Sequence, residues 1–167
     1  VTIANTAADP RVTVSSNSLR ISPTGFLVFE DGYLQTTGSG LVNVQNDNPA
    51  SIAGYDNDHY VAGLLRRAVT PTGAYDFPVG DLPSGDGYQL INVDHTAAHG
   101  HSWLEARYTS AGPGGHSFPY SAECGNDGYD VRLGHGHWTI EDDGGANGTY
   151  DIRAYPQGTW PTVDGLD

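Results

Sequence analysis

Apolar and polar residues alternate in short runs along this chain. Val12-Thr13-Val14, Leu19-Arg20-Ile21, Phe26-Leu27-Val28-Phe29, Tyr33-Leu34-Gln35 and Leu41-Val42-Asn43-Val44 follow one another, separated by Gly, Asn, Ser and Pro. Period-two alternation places successive side chains on opposite faces, so each run reads as a strand. Turn signals recur every seven to eight residues, a spacing expected of the rungs of a small β-solenoid or of a meander. The polar segment NDNPASIAGYDND at 46–58 reads as a loop and a boundary. His59–Arg67 reads as one strand, and Tyr75-Asp76-Phe77-Pro78-Val79-Gly80 as a turn.

Beyond that turn the runs lengthen. Tyr88–His95 alternates with Tyr88, Leu90, Asn92 and Asp94 on one face and Gln89, Ile91 and Val93 on the other. Trp103–Tyr108, Tyr129–Leu133, His137–Glu141 and Thr149–Tyr155 follow, with a long Gly112–Gly128 loop between them. Gly (23) and Pro (10) are spread so evenly that few windows of twelve residues can hold a helix. The expected fold is all-β: a short β-solenoid or meander over 1–58, an antiparallel β-sandwich of jelly-roll or Ig-like type over 59–155, and a tail at 156–167.

The segment HYVAGLLRRAVTPTGAYDFPVG at 59–80 resembles a passage of the large secreted surface proteins of Bacteroidetes type, exported by the type IX route. In those proteins a solenoid-like stretch leads into a Tyr-x-Phe-Pro-Val-Gly sequence that opens a sandwich. The strands Tyr88–Val93, His137-Trp138-Thr139-Ile140 and Thr149-Tyr150-Asp151-Ile152 are similar to later strands of the same modules. The resemblance covers roughly residues 15–155. It implies architecture and an extracellular or cell-surface location, with no catalytic residues.

Composition narrows the chemistry. The chain has no Met, as expected of a piece processed or cut from a longer protein, and no Lys, which removes lysine Schiff bases, isopeptide staples and the P-loop lysine. A formal charge of −13 disfavours nucleic acid and anionic membranes and favours cations. No apolar run approaches the roughly 18 residues of a membrane-inserting span. Cys124 has no second cysteine to pair with, so it reads as a buried thiol or an intermolecular link.

Histidine is the anomaly. His99 and His101 form one His-x-His and His135 and His137 another, and in a strand each pair presents two imidazoles on one face to a transition metal. Equally, such Gly-His-Gly-His sequences serve as polar strand ends whose rings pack on Trp103 and Trp138. His99, His101 and Glu105 match the first half of the cupin metal motif, but the second half is missing. Asp56 and Asp58, with the acidic turn Glu141-Asp142-Asp143, offer carboxylates for a structural Ca2+, although Asp and Asn are also ordinary turn formers. Glu105 with Glu141 would be the glycosidase pair, and nothing in the sequence recommends it.

These residues point to a non-enzymatic structural or adhesive module without a required cofactor. Its expected partners are copies of itself, neighbouring modules or glycans, and it is a candidate subunit of a surface filament built by strand addition through Val1–Ala4. A carbohydrate-binding module of a secreted hydrolase, with Trp160 as its most exposed aromatic, is the alternative. A metal-dependent cupin-like enzyme is the third reading.

Overall fold

The computed structural model describes residues 1–98, 100–110, 136–145 and 148–156. Fourteen strands and no helix are found among them. The first nine form three coils. In the first coil the chain passes through β1 (Thr2–Ala4), β2 (Arg11–Val14) and β3 (Ser18–Ile21). The second repeats the path through β4 (Leu27–Asp31), β5 (Tyr33–Thr36) and β6 (Leu41–Val44). The third does so through β7 (Ile52–Ala53), β8 (Val61–Ala62) and β9 (Leu65–Ala68). Each strand pairs in parallel with its counterpart one coil on, which creates three sheets: β1-β4-β7 (A), β2-β5-β8 (B) and β3-β6-β9 (C).

The remaining strands extend only sheets B and C. β10 (Gly73–Gly80) lies parallel to β8, with Val79 opposite Val61. On its other side it runs antiparallel to β11 (Tyr88–His95), which pairs with β14 (Tyr150–Pro156). In sheet C, β12 (Trp103–Ser110) runs antiparallel to both β9 and β13 (Gly136–Asp142). Sheet B therefore has six strands and sheet C five, and each changes from parallel to antiparallel pairing part-way across. The strand runs expected at Tyr129–Leu133 and the Gly112–Gly128 loop fall outside the described residues, as do Trp160 and Cys124.

One core serves both kinds of pairing. Leu27, Leu34, Val42 and Leu65 from the coils are fully buried in the same cluster as Phe77, Ile91, Leu104 and Tyr108 from the antiparallel strands. Each such side chain contributes about 1.5–3 kcal/mol by leaving water. A smaller cluster of Tyr33, Tyr60, Ala62 and Tyr88 covers the outward face of sheet B, with Tyr33 stacked on Tyr60 at 5.7 Å.

Three local expectations are corrected. The loop at 46–58 contains β7, the third strand of sheet A. The expected single strand at 59–67 is two strands on different sheets, because the chain turns a corner at Gly63. Gly63 has φ 130°, and a Cβ there would meet Thr36 Oγ1 at 2.1 Å, so only glycine fits. The expected Tyr75–Gly80 turn is the last six of the eight residues of β10.

Pro78 does not break β10. Residues of one parity in a strand direct their backbone polar groups to one side. The carbonyls of Asp76 and Gly80 are taken by the Arg67 guanidinium and by the Gly63 N–H, both on the β8 side. Pro78 lies between them and turns its ring nitrogen the same way, just ahead of the Val79–Val61 pairing where β8 begins. No ladder bond to β11 is lost.

The twin arginine splits by the same alternation. Arg66 points outward, paired with Glu105 at 2.7 Å and lying 4.0 Å over the Trp103 ring. Arg67 points inward and is 0% exposed. Its guanidinium donates to the carbonyls of Asp76 (2.6 Å), Asn48 (3.1 Å) and Pro49 (2.9 Å) and to Ser51 Oγ (3.1 Å), and it faces the rings of Tyr75 and Phe77. It thereby ties the connection between β6 and β7 to β10. Burial lowers its pKa to about 10, which leaves it cationic at neutral pH.

Candidate metal centre

β12 and β13 form an antiparallel pair in which Leu104 faces Asp142 and Thr109 faces His137. This register sets the fate of the histidines. His101, just ahead of β12, comes to the Asp142 end. His137 lies at the other end, five residues away along β13, or roughly 17 Å at strand rise. His101 and His137 are thus not brought together, and the other two histidines of these sequences, His99 and His135, lie outside the described residues.

His101 instead meets two aspartates. Its Nδ1 lies 3.9 Å from Asp142 Oδ2 and 3.5 Å from Asp143 Oδ1. Among the described residues this is the one group of three whose ligand atoms all lie within 4.8 Å of one another. The His101 side chain is 3% exposed, against 43% for Asp142 and 18% for Asp143. The site therefore has a buried nitrogen wall and an open carboxylate side.

The carboxylates are held by the turn that ends β13. Ser102 N–H donates to Asp143 Oδ2 at 2.7 Å, and Gly144 N–H donates to Asp142 Oδ1 at 2.6 Å. The Ser102 N–H bond, ahead of other donors, lowers the pKa of Asp143 below the ordinary carboxylate value. The turn packs tightly on the residues before β12: a Cβ at Gly145 would meet the Gly100 carbonyl at 2.2 Å.

Behind His101 is a cavity of about 180 Å³ between sheets B and C, lined by His95, Val93, Leu104, Ile140, Tyr150 and Ile152 among others. His95 is 2% exposed and stands 6.3 Å from the His101 ring. Its contacts are edge-on to Tyr75 and Tyr150, at 6.0 and 6.1 Å, rather than to the tryptophans. Trp138 packs on Tyr108 and donates to the Gln89 carbonyl, while Trp103 lies outside under Arg66.

The other sequence candidates lie elsewhere. Asp56 accepts the Asp58 N–H (2.9 Å) and contacts His59 Nδ1 (2.7 Å), closing a four-residue turn with its own carboxylate. Asp58 lines an open groove of about 850 Å³ with Asp9, Asp31, Tyr33 and His59 on the flank of sheet B. Glu105 and Glu141 are direct cross-strand neighbours on the outward face of sheet C, in a cleft of about 310 Å³ that also contains Arg107. Glu105, held by Arg66, points away from the cavity that His101 lines, so the two do not share a site.

No protein-family model, curated protein or solved structure matches this chain. Asp142 and Asp143 were visible in the sequence only as an acidic turn. Their partner lies 41 residues earlier (142 − 101), and only the β12–β13 register brings them together.

Proposed function

We propose that this chain is a non-enzymatic structural module of the cell exterior. In this reading the coils are a short β-solenoid, and the antiparallel strands are a sandwich that continues two of its three sheets. The observation that carries the reading is the continuity of sheets B and C over one core, fastened by the fully buried Arg67. A coil docked through a small polar interface would hinge. Sheets hydrogen-bonded across the change of direction transmit load along their whole width. The −13 charge and the surface rich in Gly, Ser, Thr and Asn suit an extracellular setting.

Partners in this reading are neighbouring modules or further copies of the chain. They would pair with the first coil, where β1, β2 and β3 together form one edge of all three sheets. Val1–Ala4 is not a loose donor for this purpose: β1 pairs with β4, Ile3 is buried, and the Val1 ammonium donates to the Phe26 carbonyl at 2.7 Å.

Native-state hydrogen exchange tests the proposal. The slowest amides of β4–β9 and of β10–β12 should exchange with one common opening free energy. Two separate values would overturn a single load-bearing unit. A second reading, glycan binding, is favoured by the open groove beside Tyr33. Retention on a glycan array that is lost in Asp31→Asn would establish it instead.

A further inference from the structure

We propose that His101, Asp142 and Asp143 form a site for one divalent transition metal of the zinc class, and that the metal clasps the start of β12 to the end of β13. The inference stands on ligand placement and does not depend on the structural role proposed above.

The distances suit a metal better than direct hydrogen bonds. His101 Nδ1 to the two carboxylate oxygens measures 3.5 and 3.9 Å, beyond the roughly 2.7–3.2 Å of an N–H···O bond. Donors about 2.0–2.2 Å from a tetrahedral ion stand roughly 3.3–3.6 Å apart, from the bond lengths of such sites. The two edges from His101 thus lie near that of a zinc tetrahedron, the three ligand atoms all lie within 4.8 Å of one another, and small side-chain rotations close the difference.

The carboxylates are also prepared for this task. Asp142 spends Oδ1 on the Gly144 N–H and turns Oδ2 toward His101, while Asp143 spends Oδ2 on the Ser102 N–H and faces His101 with Oδ1, which takes only a long 3.4 Å bond from the Gly145 N–H. Such outer bonds fix the orientation of metal ligands. The tight packing of Gly145 on Gly100 holds the two turns at this separation before any ion arrives. The exposed side of Asp142 is the entry path, and the cavity beside His101 leaves room for a water on the remaining coordination position.

Ligand chemistry selects the metal class. An imidazole nitrogen with two carboxylates suits Zn2+, Co2+ or Ni2+. Ca2+ requires six to eight oxygens, and Mg2+ gains little from nitrogen.

The test is a calorimetric titration of the intact chain with Zn2+ in parallel with Asp142→Asn, Asp143→Asn, His101→Gln and His59→Gln. The parent and His59→Gln should bind one equivalent with the same affinity. Asp142→Asn and His101→Gln should each weaken binding tenfold or more. Zn2+ should raise the Tm of the parent and lose that effect in Asp142→Asn, because a ligand stabilises only the state that binds it. Asp142 is exposed, so its variant decides the matter if His101→Gln fails to fold. Equal Zn2+ affinity in the parent and Asp142→Asn would overturn the site. So would a Tm rise with Ca2+ as large as with Zn2+, which would mean that the carboxylates act without the imidazole.

Discussion

The coils and the antiparallel strands bury similar residues in one core, yet they place chemistry differently. In the coils, residues one turn apart stack in rows: Arg20, Asn43 and Arg66 stand in register across sheet C, 23 residues apart each time (43 − 20 and 66 − 43). Neighbours in space are there neighbours in the repeat. In the antiparallel strands the same row continues through Glu105 and Glu141, whose separation in sequence follows no period. Regular stacking produces uniform faces, and antiparallel pairing brings together residues from distant segments. The His101–Asp142–Asp143 group arises only in the second way.

Arg67 is where the two regions can be broken apart. Arg67→Met removes the group that satisfies the Asn48, Pro49 and Asp76 carbonyls and should cost about 3–5 kcal/mol in urea unfolding, or prevent folding. Arg67→Lys keeps the charge but lacks the fork that spans both connections, so it should recover less than half of the loss. A cost under about 1 kcal/mol for Arg67→Met would show that the coils and the antiparallel strands hold together without it.

The corner at Gly63 joins two coil strands, and its N–H donates to the Gly80 carbonyl of β10. Gly63→Ala meets both an unfavourable φ and the Thr36 hydroxyl, and should cost about 1–3 kcal/mol. If the regions are one cooperative unit, the loss will appear in a single transition by both near-UV and far-UV circular dichroism. A separate early transition of the coils would divide them.

Alkaline titration sharpens the same point. Burial raises the pKa of Tyr75 to about 12, and desolvation raises Tyr55, Tyr60, Tyr88 and Tyr108 further. An unfolded Tyr ionises near pH ~10. The stability held by neutral tyrosines is therefore complete below about pH 10 and falls as pH rises toward the folded values. Tyr60 sits in the coils and Tyr108 in the antiparallel strands. The ionisation of these buried tyrosines should coincide with a single loss of far-UV ellipticity. Two far-UV transitions would mean two units.

The smallest effect is expected on the outer face. Glu105→Gln removes the partly exposed pair with Arg66 and should cost about 0.5–1 kcal/mol, diminished by salt. A larger loss would indicate that Arg66 stacked on Trp103 also holds β9 to β12.

Much of the strand pattern was legible before the fold was seen. Tyr88–His95 begins and ends where β11 does, and its two faces separate as the alternation required, with Ile91 and Val93 in the core and Leu90 on the outward cluster. The turn spacing of seven to eight residues was one third of the 23-residue step between coils in sheet C. Pairing direction in 1–58 stayed open between a solenoid and a meander, because alternation looks the same in parallel and antiparallel sheets, whereas the antiparallel pairing expected of the later strands is found between β10, β11 and β14 and between β9, β12 and β13. The corner inside His59–Arg67 depended on one glycine, and β7 on two residues, Ile52 and Ala53, within a polar loop. At the candidate metal centre His101 was singled out by its histidine neighbours, but its carboxylate partners depended on a cross-strand register.

β10 takes a repeating partner on one side and a non-repeating one on the other. That makes length a free variable in one direction. A coil contacts only the coils beside it, so a duplicated coil between β3 and β4 would lengthen the first half and leave β10 through β14 with the same neighbours. Insertions within β12 or β13, by contrast, would shift the register that joins His101 to Asp142. Evolution can therefore tune reach in the coils without disturbing whatever the antiparallel strands hold.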